Sequence, residues 1–338
     1  LKRVGLHDGS TKIGDDALSG LAFTEFVVPN SVKYLGDRCF ASCGNLRKIT
    51  LPSGLEHIGS NCFNYDIALE EINIPASVTY IGEKAFNTFW FQLFSPKPGM
   101  LKSINVDENN PAYASINGVL YDKKLERLIQ CPGQYQGELI LPETVKSLAD
   151  RSLSGCSQLT KVVLPAGLEA MGDMQFDLVP LLDVVECNAV NPPSVTPMWM
   201  NMISNINLIL YVPESVLDKY KEMYGQCRQF SAIRAIGSGA PQYADNDLVL
   251  TLDKQQPYSS CYFTTNASKA CYDGNGNYVL TADPLIVDHI TEIYFDGVKQ
   301  PLESCIKTVS DTESRANGSE QKVFVIYANN YPNVVVCK

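Results

Sequence analysis

Phe26-Val27-Val28-Pro29, Ile49-Thr50-Leu51-Pro52 and Ile72-Asn73-Ile74-Pro75 write one pattern three times: an apolar-x-apolar pair closed by proline, with the prolines 23 residues apart. Six residues after each proline come an aliphatic residue and a glycine, Leu35-Gly36, Ile58-Gly59 and Ile81-Gly82, and the glycine suits a tight turn. Five residues after each aliphatic stands a phenylalanine, Phe40, Phe63 and Phe86. Three aligned columns with a period in the low twenties predict a solenoid, in which each unit buries its apolar side only by stacking on its neighbours.

Used as a ruler, the apolar pair recurs at Val4/Leu6, Ile104/Val106, Leu139/Leu141, Val162/Leu164, Val185/Cys187 and Leu210/Val212, nine short strands in all. The closing residues are spaced 22, 23, 23, 32, 35, 23, 23 and 25 apart. The expected arrangement is a parallel sheet, with the apolar members of each pair inward and the residues between them outward. The two long spacings are insertions. The first falls in Asn87 to Pro96 and is rich in large apolar residues. The second, between Val106 and Leu139 (about 107–138), reads as a β-hairpin through Gly118 to Tyr121, a polar turn Asp122-Lys123-Lys124, and Leu125 to Cys131. Pro213 to Tyr224, followed by Gly225, predicts a helix with one apolar stripe, Val216, Leu217, Tyr220, Met223 and Tyr224. Such a helix would cap the exposed end of the core.

After Ile236 the period stops. Residues 237–242 read as a linker. Residues 243–338 alternate β-branched runs with turn signals such as Asp296-Gly297, which predicts a small all-β, sandwich-like domain. The fold class is therefore a solenoid of short parallel strands and turns with a capping helix over 1–236, then a small all-β domain.

The form Leu46-x-x-Ile49-x-Leu51-Pro52-x-x-Leu55-x-x-Ile58-Gly59-x-x-x-Phe63 resembles the BspA-like class of leucine-rich repeats. So do the hairpin around Asn117-Gly118-Val119-Leu120-Tyr121 and the Leu210-Tyr211-Val212-Pro213 strand leading to Tyr220. The resemblance covers about 1–236. It implies an α/β-type leucine-rich-repeat solenoid, and a secreted or surface-anchored bacterial protein that works by adhesion to host or matrix proteins or glycans. It implies no shared catalytic residues and no cofactor. The last hundred residues resemble nothing nameable.

Composition fits that class. The chain has 338 residues, 45% apolar and 19% charged, and no run of about 18 apolar residues to span a membrane. Its formal charge of −10, without a basic cluster, argues against nucleic-acid or anionic-membrane partners. The first residue, Leu1, is compatible with a removed leader or lipid anchor. Cys39 and Cys62 share a column with Ala85, and Cys187 falls in register with Leu164, so these thiols are expected in the core. A Cys261–Cys271 hairpin disulfide stays open, although a total of 11 cysteines opposes a full disulfide framework, and no CxxC supports zinc or redox chemistry.

Two groups stand out as candidate contact sites. Tyr34, His57 and Tyr80 each lie five residues after a proline and are expected to form an outward stripe, either a ligand surface or a packing ladder. The insertion carries Phe89, Trp90, Phe91, Leu93 and Phe94, either a sticky contact patch or a loop folded onto the protein. The outward residues Glu25, Lys48, Glu71, Ser103, Glu138 and Lys161 read as a solvated face of paired charges. Trp199 falls in the Phe column and reads as core. Asp273 to Asn277 begins like a calcium loop but has Tyr278 where glycine is required and Pro284 where the final glutamate belongs, so it reads as a turn. His7, His57 and His289 are placed beside no nucleophile by any motif. The expected protein is a monomeric, non-enzymatic binder of a protein or glycan. The alternative makes the solenoid a scaffold for a glycan-binding or carbohydrate-processing module in the last hundred residues.

Overall fold

Alternation dictates the strands. Ile49 lies between exposed Lys48 and Thr50, and Ile72 and Ile74 point inward from a strand whose other residues, Glu71 and Asn73, are exposed. The computed structural model describes residues 9–89, 99–179, 181–195, 208–224, 230 and 232–238, and the backbone of eight strands between 247 and 337. In it Glu25–Val27, Lys48–Thr50, Glu71–Ile74 and Ser103–Val106 form one parallel sheet. Gly137–Ile140, Leu159–Leu164, Val184–Cys187, Ile209–Val212 and Ala232–Ala235 form its counterpart further along the solenoid. The pair Val4/Leu6 lies outside the described residues.

Where the repeat pattern predicts only a turn, the structure has a second ladder of parallel strands. Lys12–Ile13, Tyr34–Leu35, His57–Ile58 and Tyr80–Ile81 pair in register. Later, Arg127–Gln130, Ser147–Leu148, Ala170–Met171 and Ser194–Val195 do the same. Beyond this ladder the chain makes an outer turn, and it too is bonded to the next repeat, as in Arg38 N to Ser60 O and Phe40 N to Cys62 O, both 2.9 Å.

The glycine column works differently from the turn role expected of it. Gly59 and Gly82 do not have positive φ; the left-handed residues are Arg38, Asn61 and Lys84, two positions later, with φ of 52, 54 and 57°. Glycine is required because the repeats touch there: a Cβ on Gly59 would lie 2.4 Å from the Gly36 carbonyl carbon and 2.5 Å from Asp37 N. Inside, Phe40, Phe63 and Phe86 stack at centroid distances of 5.5 and 5.7 Å, all buried as expected. Cys39, Cys62 and Cys187 are buried free thiols, as are Cys43, Cys131 and Cys156.

The core is in two parts that meet at the inserted hairpin. Leu120 packs with the part running from Ile13, whereas Val119 and Tyr121 pack with the part ending at Phe230. The predicted helix is present as a 3-10 turn, Glu214–Val216, and an α-helix, Leu217–Tyr224. Tyr220 and Tyr224 are buried, and the Tyr220 hydroxyl donates to Ala189 O at 2.8 Å. Met223, expected in the apolar stripe, is exposed instead: Tyr220 and Tyr224 take the buried side of the helix, with Val216 and Leu217 half-buried against the core. Nor is the helix the last element: Ala232–Ala235 follows it and adds one more parallel strand beside Ile209–Val212. Every described element after residue 246 is a strand. They form two four-stranded sheets. Trp199, Asp273 to Asn277 and the Cys261–Cys271 pair lie outside the described residues.

Asp66 is fully buried; one carboxylate oxygen accepts from Cys43 N at 2.7 Å, and burial pushes its pKa up to about 8. A carboxyl raised in the folded state stabilises the fold below its unfolded value and loses that contribution as pH rises through about 8. We therefore expect urea-unfolding stability to fall between pH 5 and pH 8, by at most about 1.4 kcal/mol per pH unit, and Asp66→Asn to flatten that slope. An unchanged slope would mean that Asp66 is ionised in place. Gly59→Ala should cost about 2–4 kcal/mol, because neighbouring backbone cannot yield; a loss below about 0.5 kcal/mol would contradict the close approach.

Candidate functional site

The inserted hairpin shapes the most distinctive surface of the solenoid. Asn117 and Gly118 both have positive φ, 51 and 78°, and join Tyr113–Ile116 to Val119–Asp122 in a two-residue hairpin with Ile116 opposite Val119. Asp122 Oδ1 then accepts from Glu126 N and Arg127 N, both at 2.8 Å, and turns the chain into Arg127–Gln130. This third strand occupies the place of a second-ladder strand and pairs with Ser147–Leu148. Buried Asn110 pins the hairpin to the preceding repeat. Its Nδ2 donates to Pro75 O and Val78 O, and its Oδ1 accepts from Ala112 N and Tyr113 N.

After Gln130 the chain runs into Cys131-Pro132 and lacks the Gly-x-x-x-Phe outer turn of the earlier repeats. One turn is thus missing between those at Lys84 and Asp150. The gap is a cleft of about 460 Å³, in the size range of small-ligand sites. Tyr80, Glu83, Lys84, Tyr113, Arg127 and Asp150 are among its lining residues. Lys84 Nζ reaches across to Asp150 Oδ2 at 3.3 Å, while Asp150 Oδ1 accepts from Asp173 N of the next repeat. Asp37 does the same for Ser60 N at 2.8 Å. Glu83 stands at the equivalent position, directly after the column glycine, but the turn it would cap is absent. Tyr113 Oη accepts from Ile81 N at 2.8 Å, which ties the hairpin to the cleft wall, and burial raises the pKa of this phenol.

The aromatic stripe ends at this cleft. Tyr34 and His57 stack at 4.0 Å and 11°, and His57 and Tyr80 at 4.3 Å and 7°. Lys12, in register one repeat earlier, sets its ammonium 4.3 Å from the Tyr34 ring centre. The rings lie face to face along the solenoid, so their edges meet solvent, and Tyr80 is 48% exposed. Burial between the two rings lowers the His57 pKa below its ordinary value; Asp37 opposes that shift and Lys12 adds to it. His57 is therefore neutral at pH 7, with both faces occupied by tyrosine. In the later repeats the column continues as Arg127, Ser147, Ala170 and Ser194, without rings.

The structure thus brings Tyr34, His57 and Tyr80 together. It places Phe89 elsewhere: the residue is 3% exposed, and its ring lies where a Cβ on Gly155 would be, across the gap left by the missing turn. Phe89 is a packing residue there and does not belong to an exposed patch. Trp90, Phe91 and Phe94 lie outside the described residues. Lys12, Glu83, Tyr113 and Arg127 were not singled out from sequence. Lys12 stands 22 residues before Tyr34, a spacing that could have found it; Arg127 becomes visible only once the third hairpin strand is recognised as a rung of the second ladder.

Of the charged column, only Lys161 pairs, with Glu138 at 2.9 Å and also with Glu186 at 3.3 Å; Glu25, Lys48 and Glu71 are exposed and in register but form no ion pair among the described residues. Elsewhere Arg38 pairs with Asp16 at 2.7 Å and Lys33 with Glu56 at 2.9 Å. Among the described residues no group of three or more His, Cys, Asp or Glu side chains is placed to hold a metal ion. No described helix is long and apolar enough to cross a membrane.

The description of the BspA type leucine-rich repeat region matches this chain in six copies, over residues 1–94 and 134–233. The unmatched stretch between them holds the hairpin. No curated protein sequence matches the chain. Among solved structures, the pneumococcal vaccine antigen PcpA is 21% identical, over 66% of this chain and 70% of that one, with a TM-score of 0.44. A leucine-rich cell surface protein from Faecalibacterium prausnitzii A2-165 is 23% identical, over 64% and 60%, with a TM-score of 0.47. A leucine-rich repeat protein from Eubacterium ventriosum is 19% identical, over 80% and 86%, with a TM-score of 0.40. The family match extends over more than half of the sequence, and the chain belongs to the BspA-type leucine-rich repeat family.

Proposed function

We propose that the protein is a non-enzymatic binding protein of the bacterial surface or extracellular space. On this reading it holds a host or matrix ligand, protein or glycan, on the second-ladder face from Lys12 to Arg127. The observation that carries this is the stacked column Tyr34–His57–Tyr80, which is partly exposed, rigid and continuous with a cleft. Rings held by stacking lose little conformational freedom on binding and present both apolar edges and hydroxyls, the qualities of contact anchors. On the opposite sheet Lys161 is already paired with Glu138 and Glu186. Membership of a repeat family built as a scaffold supports recognition over catalysis. The stripe histidine, enclosed by two tyrosines, has the surroundings of a packed ring and not those of a general base.

The test compares the full chain with a Tyr34→Ala/Tyr80→Ala variant on panels of host-matrix proteins and glycans. Affinity should fall at least about tenfold, the effect of losing one contact hot spot, while the melting temperature moves by only a few degrees. Undiminished binding by that variant would overturn the reading and direct attention to residues 243–338. Trp90→Ala in the same assay tests Trp90, Phe91 and Phe94 as a second contact: weakened binding at unchanged stability supports it, and a large stability loss makes the insertion core.

A further inference from the structure

We infer that the cleft between Tyr80 and Arg127 is a saccharide site, in which a pyranose ring takes the place of the missing rung in the aromatic stack. This rests on the second-ladder face being the contact face and names the ligand class for its end. His57 covers one face of the Tyr80 ring at 4.3 Å. Among the described residues no ring covers the other face, and Tyr80 lines the cleft. The next position of the column is Arg127, which lines the same cleft from the far half of the solenoid. Tyr80 and Arg127 thus line one slot with an aromatic ring and a guanidinium.

Two features select a sugar over another flat group. The ring face of tyrosine is electron-rich and attracts the weakly positive C–H face of a pyranose. Around it the walls are charged: Glu83 accepts hydrogen bonds, Arg127 donates them, and neither is in an ion pair among the described residues. Lys84 and Asp150, also lining the cleft, form a pair of opposite sign. An aromatic side chain entering the slot would strip water from these groups and leave them unpaired, which is costly, whereas sugar hydroxyls both donate and accept around the ring edge. Charges of both signs favour a neutral sugar over an acidic one. Asn110 and Tyr113 are positioning residues, since they fix the hairpin that carries Arg127.

Saturation-transfer NMR on the full chain, with methyl α- and β-pyranosides of glucose, galactose, mannose and N-acetylglucosamine, tests this directly. At least one should give a saturable signal with a Kd in the millimolar range typical of so small a ligand. Tyr80→Ala and Arg127→Ala should each weaken it at least about tenfold. Tyr80→Phe, which keeps the ring, should change it less than about threefold. Lys161→Ala, on the other sheet, serves as the control for unaltered binding. The inference is overturned if no pyranoside gives a saturable signal, if the signal survives both alanine variants, or if N-acetyl-tyrosinamide binds in the slot and the sugars do not. Should sugars fail while Tyr34→Ala/Tyr80→Ala still abolishes binding of a protein ligand, the contact face stands and only the saccharide assignment falls.

Discussion

The structure depends on how closely one repeat lies against the next. At Gly36, Gly59, Gly82 and Gly172 the backbone of each repeat sits where a side chain would have to go. That contact fixes the axial spacing for everything else. It brings the rings of successive repeats into stacks, Phe40–Phe63–Phe86 inside at 5.5 and 5.7 Å and Tyr34–His57–Tyr80 outside at 4.0 and 4.3 Å. It also lets an aspartate of one turn accept an N–H from the next, as Asp37 does for Ser60. Polar groups in the turns are satisfied by translation, each repeat completing its neighbour.

The cleft lies where the inserted hairpin interrupts the regular repeat. The hairpin supplies a second-ladder strand, Arg127–Gln130, but no outer turn. The void is only partly filled: Phe89 covers Gly155 on the core side, and Lys84 pairs with Asp150 across the solvent side. What remains between Tyr80 and Arg127 is a place where the lattice of contacts is unfinished. Glu83, at a capping position with nothing to cap, marks the same interruption in the polar column.

The long-period features were legible in the sequence because each column repeats an identity at fixed spacing. The apolar pairs, the Phe column, the buried cysteines, the hairpin and the Tyr34–His57–Tyr80 stripe all follow from that ruler. The second ladder was not legible. Apart from Arg127–Gln130 its strands are two residues long, too short to show alternation, and their hydrogen bonds depend on the neighbouring repeat. The glycine column was read as a turn feature because close packing between repeats leaves no mark in the local sequence. The strand Ala232–Ala235 has the period's pairing but not its prolines. The cleft was out of reach for a deeper reason: Arg127 and Tyr80 are 47 residues apart, and only the fold of the inserted hairpin brings both to line one cleft.

The most direct measurement of the central claim is a crystal structure of the full chain soaked with the strongest-binding methyl pyranoside. The account predicts a sugar ring lying parallel to the free face of Tyr80, at about the 4.3 Å pitch of the stack, with hydroxyls toward Arg127 and Glu83. Sugar density only on the charged first sheet or on residues 243–338, with the slot between Tyr80 and Arg127 closed, would contradict it.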